Sequence, residues 1–204
     1  INLMGGKSNF IQKMDSIFST PPTSDFSYYG FKIHEILEME LLNMGQYAHG
    51  NQPIQHVLYL YNYAGQPWKT QEKVRYVMDN LYGSNEDGYC GDEDNGQTSA
   101  WFLFSSMGFY PVAPVTGQYV IGSPLFEKVE IQLLNNKKIV INSKENNTKS
   151  VYIDKVFING KQYYNNWLSH SNLLDGLKID FIMKETPNFE WGSKQESVPF
   201  SVSN

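Results

Sequence analysis

The hydrophobic period of this chain changes once, near residue 110, and that change limits its fold more than any other feature. Upstream, apolar residues recur at helical spacing. Phe10, Met14, Ile17 and Phe18 form one set, and Ile33, Ile36, Leu37, Leu41 and Met44 form a second. The run from Ile54 to Tyr63 is apolar or aromatic on nearly every side, with Pro53 at the favoured first helical position. Thr70 to Leu81 sets Val74, Val77, Met78 and Leu81 on one face, and QTSAWFLFSSM at 97–107 has the length and hydrophobicity of a buried helix. Gly83 and Gly108 stand where helices should stop. Downstream of Phe109 the period becomes that of strands. Tyr119 to Ile121, Val129 to Leu133, Lys138 to Ile141, Val151 to Ile153, Val156 to Ile158 and Leu177 to Met183 read as extended segments. Asn135-Asn136 and Asn159-Gly160 read as hairpin turns, because these residues tolerate positive φ. The tail from Lys184 is polar and is expected to lie only on the surface. The expected fold is α+β, with a helical part over 1–110 and an antiparallel β-rich region over 111–204.

Composition removes several function classes. The chain has 204 residues, 41% hydrophobic and 18% charged, enough for one large domain or two small ones with a real core. No apolar run approaches the roughly 20 residues that cross a bilayer. A net charge of −5 without a basic block argues against nucleic-acid binding. One cysteine, Cys90, excludes an internal disulfide, a zinc ribbon and a CxxC pair. The start at Ile1, without initiator Met or signal peptide, suggests a mature product or a piece of something longer. The nearly all-apolar helices around Tyr59 and Trp101 need partners on several faces, so further helices upstream, or another chain, are expected to cover them.

Chemistry-bearing residues concentrate in a few places. Gly91-Asp92-Glu93-Asp94-Asn95-Gly96-Gln97 offers oxygen ligands for a hard cation such as calcium, or a carboxylate base; a plain helix N-cap in a solvated acidic loop would look the same. The loop lacks the acceptor spacing of an EF-hand. His34, Glu35 and Glu38 can share one side of a helix, yet position 38 breaks the HExxH zinc pattern. His49-Gly50-Asn51-Gln52-Pro53 suits sugar hydroxyls or calcium, and equally an Asx turn. Tyr61 to Lys69, including Trp68, offers aromatics beside amides for sugar C–H faces, or simply a helix end and turn. Ser99 sits in no GxSxG elbow and Cys90 has no base nearby in sequence, so neither reads as a nucleophile.

Taken together, GNQP at 50–53, YLYNYAGQPWKTQ at 59–71, GYCGDEDNGQTSAWFLFSSMGFYPVAP at 88–114 and YVIGSPLF at 119–126 resemble the C-terminal part of family 92 glycoside hydrolases, the calcium-dependent exo-acting α-mannosidases. The resemblance covers most of 28–190. It implies the last helices of an (α/α)6 catalytic barrel over 1–110 and the β-rich C-terminal region after them. It implies hydrolysis with inversion, for which an acid and a base flank the bond roughly 6.5–9.5 Å apart. By it, Asp94 matches the base and Asp92 an assisting aspartate; His34-Glu35 matches the pair that contacts the leaving mannose in members cleaving α-1,2 linkages. Asn51, Glu38 and Asp94 are the expected calcium neighbourhood, and Asn51, Gln52 and Trp68 join the substrate-binding set. Mannose-containing glycans and the missing N-terminal part of the parent enzyme are the expected partners, in a periplasmic or cell-surface setting. Two departures stand out. Many relatives carry Glu where this chain has Gln52, and the family's general acid lies upstream of this region. The isolated chain is therefore expected to show little or no activity. The competing expectations are a non-catalytic calcium- or sugar-binding module, or a bracing element for a barrel.

Overall fold

The computed structural model describes residues 1–202. The helical part contains α1 (Lys7–Ser19), α2 (His34–Leu42), a 3-10 helix (Gln52–Asn62), α3 (Pro67–Asn80) and α4 (Gln97–Met107). The 54–63 segment is thus 3-10 and not α-helical. Its buried positions explain the choice: Gln55, Leu58 and Tyr61 recur every three residues, which a helix of three residues per turn keeps on one side. The Thr70 hydroxyl also donates to the Leu58 carbonyl at 2.8 Å, fastening this helix to α3. α4 ends at Gly108, whose φ of 98° closes the helix in the left-handed region. α4 is only partly buried: Trp101 is fully covered while Leu103 remains 60% exposed. α3 stops at Asn80, before Gly83, which instead pairs its N–H with the Gly88 carbonyl in the following turn.

The β region begins at β1 (Phe109–Tyr110), which pairs with β2 (Gln118–Ile121) and through it with β7 (Trp167–Ser169). A larger sheet holds β3 (Lys128–Gln132), β4 (Lys138–Lys144), β5 (Tyr152–Ile158), β6 (Lys161–Tyr163) and β8 (Leu177–Lys184). A short helix, α5 (His170–Leu174), precedes β8. The strand order is β3-β4-β8-β5-β6. The hairpin turns lie where Asn136, Asn159 and Gly160 take positive φ. This sheet is mixed, correcting the all-antiparallel expectation: β8 inserts between β4 and β5 and runs parallel to β4. The segments read separately around 151–153 and 156–158 join in one strand, Tyr152–Ile158, with a register shift against β8 between Ile153 and Lys155.

The polar tail is more firmly held than its composition suggests. Trp191 is buried in the sheet core and its indole N–H donates to the Tyr163 carbonyl at 3.0 Å. Two apolar clusters meet along β1 and β2. One gathers Tyr47, Tyr59, Val74, Val77 and Trp101 with Val120; the other joins Phe109 and Ile121 to the sheet residues Ile141, Ile153, Ile179 and Phe181. The buried Asn62 and Asn166 side chains tie the two parts together, Asn62 donating to the Ile121 carbonyl at 2.8 Å and Asn166 to the Asn62 carbonyl at 3.1 Å.

Candidate active site

α2 and two loops converge on one small cleft of about 140 Å3, lined by His34, Glu35, Glu38, Gly50, Asn51, Gln52, Asp92 and Asp94. Every sequence-predicted site residue except Trp68 is among these. Trp68 instead packs edge-on against Phe189 of the tail, ring centroids 5.0 Å apart, and does not line the cleft. Its place at the start of α3 puts it beside the C-terminal segment, which sequence spacing alone does not reveal.

The convergence depends on two glycines. A Cβ on Gly91 would sit 2.5 Å from the Gly50 Cα, and one on Gly50 would sit 2.6 Å from Glu38 Oε2 and 2.8 Å from the Cys90 carbonyl oxygen. The two loops touch backbone to backbone, with the Glu38 carboxylate against both. Gly91→Ala is expected to cost about 1–3 kcal/mol through overpacking and to push the Asp92 loop away from α2. Denaturant unfolding measures this; unchanged stability would show that the contact is not tight.

Side-chain amides then fasten the loops. The Gln52 amide donates to the Asp92 carbonyl at 2.8 Å, and Thr98 Oγ1 donates to the same carbonyl at 2.9 Å. Gln52 and Gln55 both reach Thr98 Oγ1, at 3.3 and 3.4 Å. Gln97 donates to Gln55 Oε1 at 3.4 Å and to the Tyr110 hydroxyl at 3.0 Å. Of these supporting residues, Gln55 and Thr98 were not singled out in the sequence, although Gln55 was discoverable as a polar residue inside a mostly apolar run. Gln52 therefore does structural work here. A glutamate in its place would set a carboxylate against the Asp92 carbonyl oxygen.

The three adjacent acids divide by backbone geometry. Asp94, Asn95 and Gly96 take φ values of 52°, 55° and 98°, a left-handed course that Asp, Asn and Gly tolerate best. That turn folds Glu93 back onto α4. Its carboxylate accepts from the Gly96 N–H at 2.7 Å and from the Ser99 hydroxyl at 2.7 Å. The Ser99 hydroxyl and the backbone N–H hold the Glu93 carboxyl below its usual range. Asp92 and Asp94 are left exposed at the cleft, with Asp92 Oδ2 3.8 Å from His34 Nε2. His34 Nε2 is also 3.5 Å from Glu35 Oε1. Burial raises the Glu38 carboxyl above its ordinary value; His34 pulls the other way, and Asp92 and Glu35 add to the rise.

Behind the cleft, His49 is wholly buried between two tyrosines. Its Nδ1 lies 2.6 Å from the Tyr47 hydroxyl and its Nε2 2.8 Å from the Tyr82 hydroxyl, and its ring stands edge-on to Trp101 at 4.3 Å. Burial pushes its pKa down to about 3, so the ring is neutral and anchors the loop that carries Gly50 and Asn51. Cys90 is likewise no nucleophile: burial pushes its thiol up to about 11.

A family model for the glycosyl hydrolase family 92 catalytic domain matches residues 1–185. The chain belongs to glycosyl hydrolase family 92. A solved GH92 inverting mannosidase from Bacteroides thetaiotaomicron VPI-5482 matches all of this chain at 51% identity and a TM-score of 0.85, over 28% of its own length. A GH92 α-mannosidase from Bacteroides thetaiotaomicron, solved with mannoimidazole, matches 97% of this chain at 36% identity and a TM-score of 0.86, over 25% of its own length. An uncharacterized secreted glycosidase of Arthroderma benhamiae is 27% identical over 99% of this chain and 23% of its own. This GH92 chain thus spans about a quarter of the length of these relatives. Among the described residues no helix is long and apolar enough to cross a membrane.

Among the described residues of this GH92 chain, no three His, Cys, Asp or Glu side chains are grouped to hold a metal. The donors present, carboxylates and the Asn51 amide, are nevertheless the hard oxygens that calcium takes. They fit part of a coordination shell.

Proposed function

We propose that this chain is the base-bearing portion of an exo-acting α-mannosidase that removes terminal mannose, with α-1,2 linkage preferred, from mannose-rich glycans with inversion. The observation carrying this reading is the convergence of α2 with the 50–52 and 91–94 loops on one acid-lined cleft. Asp94 takes a proton from the attacking water on the face of the sugar opposite the leaving group, and Asp92, beside His34, assists. His34 and Glu35 contact the leaving mannose. The proton for the leaving oxygen comes from an acid on the upstream part of the parent enzyme, which also completes the (α/α)6 barrel. The helical part, 1–110, belongs to that barrel and 111–204 forms the β-rich end.

Glu38, Asn51 and Asp94, with water and sugar hydroxyls, would hold a calcium ion, which would supply charge stabilisation to the sugar beside the cleaved bond. The secreted relative supports a periplasmic or extracellular setting.

The test is hydrolysis of α-1,2-mannobiose with calcium present or chelated, with NMR of the first-formed anomer. Calcium-dependent release of β-mannose by the intact enzyme, and none by these 204 residues alone, is expected. Release of the α-anomer would overturn the inverting assignment.

A second reading, a calcium- or sugar-binding portion without catalysis, draws on the neutral Gln52 fastened to the Asp92 carbonyl. Calorimetry would show mannose binding without turnover in that case, even in the intact protein.

A further inference from the structure

Away from the cleft, an open pocket of about 590 Å3 lies between the β5–β6 edge of the larger sheet and the C-terminal segment. It shares no lining residue with the acidic cleft. Its size falls within the range of small-molecule sites. Tyr164 and Phe189 line it while 58% and 63% exposed, and large apolar side chains clustered on a surface mark a binding area.

The Phe189 ring is held in place. Phe189 is braced edge-on by Trp68 at 5.0 Å, and Trp191, buried in the sheet core, forms part of the lining. A platform held in this way reduces the ordering that binding would require of the protein. Around it, the Gln162 amide and the Lys155 and Lys194 ammonium groups have no side-chain partner among the described residues. An apolar helix laid over the pocket would bury these polar groups unpaired, which opposes that occupant. A pyranose suits both features. Its C–H face covers an aromatic ring, and its hydroxyls accept from the amide and the ammonium groups.

We propose that this pocket is a second saccharide site, which holds a neutral oligosaccharide arm on the Tyr164–Phe189 platform. The choice of mannose as the sugar rests on the function proposed above. A glycan gripped here is retained by the protein independently of the acidic cleft, so repeated trimming of one branched glycan gains from it.

The experiment is NMR titration of the isotopically labelled protein with mannopentaose, following Gly50 and Gly91 at the cleft and Gly192 beside the platform. Tyr164→Ala with Phe189→Ala is compared with Tyr164→Ala alone, which keeps the Phe189–Trp68 contact. Saturable shifts at Gly192, weakened about tenfold or more by the double variant while cleft shifts persist, are expected. Shifts confined to the cleft would overturn the second site and leave the proposed function standing. Shifts confined to the platform would support the second site and count against the cleft. No shift at either place, or platform shifts that ignore both substitutions, would overturn the second site.

Discussion

With Asp94 as the proposed base, Asp94→Asn in the intact protein is expected to lower the rate of mannose release about 10²- to 10⁴-fold, the range ascribed to a positioned base. The substitution is informative because of where Asp94 sits. Its φ of 52° leads the left-handed turn through Asn95 and Gly96, and asparagine accepts that conformation as readily as aspartate. The Asp94 carbonyl accepts the Gln97 N–H at 3.2 Å, a bond the substitution keeps. The loop therefore stays in place while the capacity to take a proton is removed. Because Asp94 is also one of the proposed calcium ligands, the comparison is made at saturating calcium, where turnover is expected to fall much more than substrate affinity; steady-state kcat and KM read that split. A variant that keeps most of the wild-type rate would move the base elsewhere, with Asp92 the next position to substitute. Glu93→Gln is the matching control: its carboxylate is turned onto Gly96 and Ser99, so its loss should loosen the turn without removing the base.

The second large effect is on stability. His49 has a pKa of about 3 in the fold through burial, against an ordinary value of 6.5. Its neutral form is the one folded, so the unfolded chain binds more protons at every pH between those values. The stability this provides is complete above pH 6.5 and is lost as pH falls through the window toward 3, at up to about 1.4 kcal/mol per unit. Between pH 7 and pH 5 the expected loss is about 2 kcal/mol. Urea unfolding at both values checks it, with His49→Gln as the comparison. The variant should be less stable at pH 7, since Tyr47 and Tyr82 each lose a ring nitrogen, but its stability should depend less on pH over that window. Equal pH dependence in the two proteins would show that His49 is not the group responsible. Because the His49 carbonyl accepts from Gln55 and the next residue is Gly50, acid unfolding of this corner should also disperse the cleft.

Much of the site was legible because its signals are local. His34, Glu35 and Glu38 share a helical side by spacing, and the acidic loop stands directly before α4. The resemblance to family 92 likewise rests on contiguous residues, and the family model spans most of the chain. What could not be read is how neighbours in sequence part company in space. Asp92, Glu93 and Asp94 look alike as a run, and only the positive φ values separate a carboxylate tied to the helix from two at the cleft. Trp68 looked like a sugar platform beside amides; its actual partner, Phe189, lies far along the chain. The 54–63 segment misled for another reason: a run apolar on all sides carries no period to distinguish a 3-10 helix from an α-helix.

From its sequence alone, this protein's division into helical and extended segments and its hairpin turns at Asn136 and Asn159-Gly160 were determined, since each follows from conformational preferences over a few neighbouring residues. The tertiary structure alone decided that β8 inserts beside β4 in parallel, that Trp191 anchors the tail, and that Gly50 and Gly91 meet over Glu38. Those outcomes depend on burying surface and pairing polar groups between residues distant in the chain, and no local pattern encodes such pairings.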